Sequence, residues 1–161
     1  MGVSGAMAGR LVVITGLPGS GKTTRAMEIA RTLPAVRFCP DDWMMASGID
    51  LWDAARRAQI EAFQHTLAFD LLATGIHVVI EWGTWSRAER DALRDAARSI
   101  GASVELHHLT ASTDELWRRI EQRDREGRWG SRSITRQELD EWTAIYEVPT
   151  PEELATYDAP A

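Results

Sequence analysis

An α/β fold with a central parallel sheet and helices on both faces follows from three observations. Apolar, β-branched runs alternate with stretches of helical periodicity along the chain, which implies βα units. A glycine-rich loop, Gly16 to Thr23, joins the first strand to the first helix. It reads GLPGSGKT and matches G-x-x-x-x-G-K-[ST] at every fixed position. The length of 161 residues suits one domain around a single core, and 44% hydrophobic with 26% charged residues is ordinary for a chain that folds.

Leu11 to Thr15 is the first strand, apolar enough to be buried on both faces. Ala26, Ile29, Ala30 and Leu33 then share one face of a helix from Lys22 to about Leu33. Val36 to Cys39 is a short second strand, ending at Pro40 and the pair Asp41-Asp42. A long helix is expected from about Asp53 to Thr74, with Ile60, Phe63, Leu67 and Leu71 as its apolar stripe and Gly75 after its end. His77 to Glu81 is the third strand, apolar until its last residue. Three capping boxes follow. Ser86 with Glu89 opens a helix carrying Leu93, Ala96, Ala97 and Ile100. Ser112 with Glu115 opens one carrying Leu116 and Ile120, and Thr135 with Glu138 one carrying Leu139, Trp142 and Tyr146. Val104 to Leu109 is the fourth strand. No fifth core strand is visible, because ATYDAPA at the end is too polar and too short. Residues 1–9, small and Gly/Ala-rich, are expected to be a disordered leader. Residues 10–151 then form the domain and 152–161 a C-terminal tail, with no internal repeat.

The loop explains its own composition. Glycines at 16, 19 and 21 let the backbone approach phosphate closely, and successive amides at a helix N-terminus make an anion nest. Gly16, Pro18, Gly19, Ser20, Gly21, Lys22, Thr23 and Thr24 are therefore the candidate nucleotide-binding residues. Lys22 would reach the β- and γ-phosphates, and the Thr23 hydroxyl would ligate Mg²⁺. Ligands of open α/β sheets bind outside the carboxyl ends of the strands, where three further features fall. Asp41 and Asp42 are each a candidate base for an acceptor hydroxyl, or simply a turn or helix cap. Glu81 ends a buried strand, where a carboxylate must be paired or metal-linked; it is the candidate second Mg²⁺ residue, with a structural ion pair as the alternative. Arg119, Arg123, Arg125, Arg128 and Arg132 run from a helix into the segment RDREGRWGSRS, a candidate lid over the transferring phosphoryl group or a solvated helix end. The chain has 7 Trp. Trp43, Trp52, Trp82 and Trp85 fall on the acceptor side and could stack on a planar or sugar-like molecule, or pack; Trp117 and Trp142 lie in helical stripes and read as packing.

Charge and cysteine content narrow the setting. Eighteen basic against 24 acidic residues, a net charge of −6, argue against a general nucleic-acid binder. The lone Cys39 rules out an internal disulfide and fits a reducing cytoplasm. No apolar run is long enough for a membrane span, and the N-terminus lacks a charged signal-peptide start. The four histidines lack metal-ligand spacing.

From about Arg10 to Pro151 the chain resembles the small P-loop kinases related to phage polynucleotide 5′-kinase, zeta toxins and chloramphenicol phosphotransferase. The glycine-rich loop carries the P-loop part of that resemblance, and Asp41-Asp42-Trp43 the narrower part. EWGTWSRAER and the ITRQELDEW…PTPEE tail resemble bacterial ATP-binding proteins of the same group. The resemblance implies strand order 2-3-1-4 in a three-layer α/β/α sandwich. It also makes Asp41, two places before the aromatic, the base. Polynucleotide kinases follow that aromatic with an arginine that contacts the substrate phosphate; here the residue is Met44, which weakens a nucleic-acid acceptor.

The reading is an ATP- and Mg²⁺-dependent kinase acting on a hydroxyl of a small molecule. Lys22, Asp41 and one of Arg123, Arg125 or Arg128 carry the transfer, Thr23 and Glu81 hold the metal, and Asp42, Trp43, Trp82, Trp85 and Arg87 meet the acceptor. The alternatives are a polynucleotide or nucleotide-sugar kinase, and a nucleotide-dependent switch for a protein partner.

Overall fold

The computed structural model describes residues 7–127 and 130–161. Most of the expected leader, residues 1–6, lies outside them. Four parallel strands, β1 (Arg10–Thr15), β2 (Ala35–Phe38), β3 (His77–Ile80) and β4 (Ser103–His108), form one sheet in the order β2-β3-β1-β4. Seven helices connect them among the described residues: α1 (Lys22–Thr32), α2 (Pro40–Ala46), α3 (Ala54–Ala73), α4 (Arg87–Ser99), α5 (Thr113–Arg125), α6 (Arg136–Ile145) and α7 (Pro151–Leu154). None is long and apolar enough to cross a membrane.

Strand alternation sorts the core into layers. Val12, Ile14 and Val79 face Ala26 and Ile29 of α1. Leu11, Val13, Val78 and Ile80 face Ala68 and Leu72 of α3 with Leu93 and Ala97 of α4 on the other side. The expected α/β/α sandwich is thus present, with β1 flanked by a strand on each side and Leu11 to Ile14 fully buried. A third cluster, Leu17, Leu116, Ile120, Ile134 and Leu139, packs α5 and α6 beside the glycine-rich loop.

Three expectations are corrected. The buried stripe of α3 is Gln64, Ala68 and Leu72, one position beyond the apolar letters; Phe63 stays 67% exposed. Gln64 supplies the reason, because its Oε1 accepts the Trp82 indole N–H at 2.8 Å and turns this face inward. The second capping box is half formed: Ser112 caps α5, but the Glu115 carboxylate is taken by Arg118 at 2.8 Å and Arg119 at 2.7 Å. The boxes at Ser86 and Thr135 are complete. Asp41 and Asp42 lie in the first turn of a helix, α2, with Pro40 at the position where proline is favoured.

No fifth strand forms among the described residues, and the last residues cover the free edge of β4 instead. Asp158 N donates to Val104 O at 2.8 Å, and its carboxylate accepts from Val104 N at 2.7 Å. Such cover blunts an edge that would otherwise invite pairing with another chain.

Candidate active site

The glycine-rich loop leaves the carboxyl end of β1 and turns directly into α1. Gly19 and Gly21 take φ of 82° and 95°, which residues with side chains rarely adopt. A Cβ at Gly19 would stand 2.9 Å from the Leu116 carbonyl oxygen, so α5 also needs the glycine for its close approach. Gly21 caps α1 without a side chain, leaving first-turn amides for an anion. Lys22 folds back across the loop, its Nζ donating to the carbonyls of Gly16 at 2.8 Å and Leu17 at 3.1 Å. Burial pushes its ammonium down to about 8, although Glu81 and Asp41 pull the other way.

Strand parity brings Glu81 to this loop. Val79 faces α1, so Glu81, two residues on, meets the first turn of that helix. The Thr23 hydroxyl donates to Glu81 Oε1 at 2.8 Å. Arg37 follows by the same rule: it pairs across the sheet with Val79, and its Nη1 donates to Glu81 Oε2 at 2.9 Å. The ion pair given as the alternative for Glu81 is present, and its other oxygen lies beside Thr23. The other arm of Arg37 holds Asp42. Burial disfavours the Arg37 charge, but Glu81 and Asp42 more than offset it and raise its pKa.

The two aspartates diverge. Asp42 pairs with Arg37, whereas Asp41 faces the other way, where Arg57 of α3 meets its Oδ1 at 2.6 Å. Asp41 thereby lines a cavity of about 380 Å³ that runs from Lys22, Thr23 and Glu81, past Arg123, to Trp52, Trp82, Trp85 and Trp142. Cys39 also lines it, its thiol pushed up to about 12 by burial and then by Glu81. A more open groove lies on the far side of the loop, bounded by Gly19, Thr24, Arg118, Arg119 and Arg123.

The tryptophans are fixed from behind. Trp85 and Trp142 meet at 5.8 Å, tilted by 50°. Trp52 donates its indole N–H to Arg132 O at 2.8 Å, and the Arg132 guanidinium sits 3.5 Å from its ring centre. The loop bearing Trp82 and Trp85 is held by Arg90, fully buried on α4. Its Nη1 donates to the carbonyls of Thr84 at 3.1 Å and Trp85 at 3.2 Å, and Nη2 to Glu147 O at 2.9 Å. Nε and Nη2 grip Glu153 of α7 at 2.6 and 3.0 Å.

The family model AAA_33, described as an AAA domain, matches residues 11–149. The chain belongs to this family. A search of curated proteins finds no match. Solved structures similar to this AAA_33 chain are P-loop kinases in fold. A chain of the Pnkp1/Rnl/Hen1 RNA repair complex superposes with a TM-score of 0.74 at 18% identity, over 97% of this chain and 48% of that one. The present chain thus spans about half the length of that relative. A gluconokinase from Sinorhizobium meliloti 1021 gives 0.60 at 24% identity, covering 91% and 79% of the two chains. A sugar kinase from Janibacter sp. HTCC2649 gives 0.60 at 24%, covering 90% and 82%.

Within this AAA_33 member the structure gathers much of the expected site into one place. Pro18, Gly19, Gly21, Lys22, Thr23, Asp41, Glu81, Trp82, Trp85 and Arg123 line the cavity. Ser20 and Thr24 line the groove behind it, and Gly16 receives Lys22. Four candidates lie elsewhere. Trp43 packs on Phe38 at 6.0 Å and Phe63 at 6.4 Å, and Arg87 pairs with Asp91 at 3.4 Å on α4. Arg125 is exposed at the end of α5, and Asp42 pairs with Arg37 as described. Arg128 lies outside the described residues. Trp142, read as packing, also forms part of the wall.

Arg37, Arg57, Glu61 and Arg90 escaped the sequence reading. A signal existed for two of them: Arg57, Glu61, Gln64 and Ala68 recur at helical spacing, so charges at the start of α3 share its buried face.

Proposed function

We propose that this protein is an ATP- and Mg²⁺-dependent phosphotransferase whose acceptor is a hydroxyl of a small molecule. One observation carries the reading: a single cavity joins the phosphate-loop residues Lys22 and Thr23 to a carboxylate, Asp41, and to a tryptophan-walled space of small-molecule size. The loop amides and Lys22 hold the triphosphate. Thr23 and Glu81 offer the oxygen donors Mg²⁺ prefers and would hold the metal, which would supply positive charge against the phosphates. Asp41, oriented by Arg57, accepts the proton of the acceptor hydroxyl; that oxygen bonds to the γ-phosphorus as the bond to the β-phosphate oxygen breaks, and ADP leaves. Arg123, on the cavity side of α5, offsets charge on the transferring group. The gluconokinase and sugar kinase among the similar folds support a small hydroxylated acceptor. The lone buried Cys39 supports a cytoplasmic setting.

The likeness to a chain of an RNA repair complex favours a second reading, a kinase of nucleic-acid ends. A protein-responsive nucleotide switch is a third. ATP consumption separates the last from the other two. Consumption that rises with a hydroxylated compound and vanishes in Lys22→Ala supports transfer; consumption stimulated only by a protein supports the switch. Near-wild-type transfer by Lys22→Ala would remove the assigned loop.

A further inference from the structure

Of the three carboxylates lining the cavity, two are ion-paired to arginine and one is not. Arg37 answers Glu81, and Arg57 answers Asp41. Lys22 and Arg123 stand at the phosphate end. Glu61, on α3 one turn after Arg57, lines the same cavity, yet makes no hydrogen bond or ion pair among the described residues. It is half-buried. Burial raises its pKa, with Glu89 and Asp41 adding to the effect and Arg57 opposing it. A carboxylate in such a place asks for a donor or a cation to replace the water it has lost. The cavity it lines suits one: tryptophan faces attract cations, and Asp41 and Glu61 set two carboxylates against the single guanidinium of Arg57.

We propose that Glu61 and the Trp82, Trp85 and Trp142 walls form a subsite for an ammonium group, so that the acceptor is an amino alcohol with a planar or ring-shaped body. This rests on the assignment of the tryptophan end to the acceptor. The body stacks on the indoles, the ammonium meets Glu61, and the hydroxyl is left toward Asp41. An anionic acceptor would instead face Glu61 and Asp41 across the same space.

The test measures binding without ATP, by tryptophan fluorescence of the full chain. Three probes share a phenyl ring and a hydroxyl: 2-amino-1-phenylethanol (cationic), 1-phenyl-1,2-ethanediol (neutral) and mandelate (anionic). The expected order is amine, then diol, then acid. Glu61→Gln should weaken the amine about tenfold, the scale of one charged hydrogen bond, while leaving the diol unchanged. Glu61→Lys should shift the preference toward mandelate. Equal affinity for all three in the wild type, including no binding by any, overturns the subsite. So does an unchanged amine affinity in Glu61→Gln. Glu61-dependent amine binding without any phosphoryl transfer would support the subsite while removing the kinase reading. Equal phosphorylation of amine and diol would do the reverse.

Discussion

Two arginine–carboxylate pairs flank the site, one fully enclosed and one partly exposed. Behind the tryptophans, Arg90 spends all five of its N–H donors, two on Glu153 and three on backbone carbonyls, with both side chains enclosed. At the front, Arg37 forks between Glu81 and the surface residue Asp42, and Glu81 shares its remaining oxygen with Thr23 at the cavity floor. A pair with every donor satisfied has no capacity for a ligand; it ties α4, α7 and the Trp82–Trp85 loop together. A pair that opens on a cavity and already exchanges contacts with a loop hydroxyl can reorganise around one. The first is architecture. The second is the one we propose for the chemistry.

The largest expected effect is on stability. Arg90→Ala strands the Glu153 carboxylate and three carbonyls, and should cost about 3–5 kcal/mol in urea unfolding. A loss below about 1 kcal/mol would mean the rear pair is not structural. Removing the cavity-lining aspartate tests the front. Asp41→Asn should lower turnover roughly 10²-fold or more with little change in ATP affinity, the usual scale for a lost general base, and Asp42→Asn should do less. The reverse order would make Asp42 the base. Glu81→Gln should lower turnover about tenfold and yet change stability by only about 1 kcal/mol, because Arg37 keeps Asp42 as a partner. A large stability loss with normal turnover would put the front pair in the same class as the rear.

The smallest effect is a pH dependence. Lys22 in the free protein loses its proton near 8, and bound phosphates favour the charged form, so its pKa is higher in the complex. Affinity for ATP is therefore full below that value and declines as pH rises through it. Between pH 7 and 8.5 the loss should be about fourfold, read by titration calorimetry. An affinity that rises with pH would contradict the assigned contact.

The sheet was legible because its signals are local. Leu11 to Thr15 and His77 to Glu81 are continuous apolar runs, the glycine-rich loop names its own neighbours, and caps at Ser86 and Thr135 fix two helix starts. The loop, Asp41 and Glu81 were legible for the same reason, since each follows a strand end. What stayed hidden depends on distant partners. Arg37 gains its role only when β2 pairs with β3, and Arg90 only when α7 brings Glu153 to it across 63 residues. The α3 stripe was misjudged because hydrophobicity cannot foresee that a glutamine amide will be wanted by Trp82. Glu61 carries no motif at all, and only the assembled cavity sets it beside the other site residues.

The central claim is that the phosphate loop and the tryptophan-walled space serve one transfer to a small hydroxyl. It is tested most directly by following γ-labelled phosphate from ATP at physiological salt. Hydroxylated small molecules, among them aminoglycosides, nucleosides and phenicols, are run beside DNA and RNA with 5′-hydroxyl ends. The expected result is a mass gain of one phosphate on a small acceptor, with poor labelling of the strands. Strand binding needs several cations to displace condensed counterions, and this chain carries 18 basic against 24 acidic residues. Efficient labelling of oligonucleotide 5′ ends, falling steeply as salt rises, with no small acceptor labelled, would contradict it.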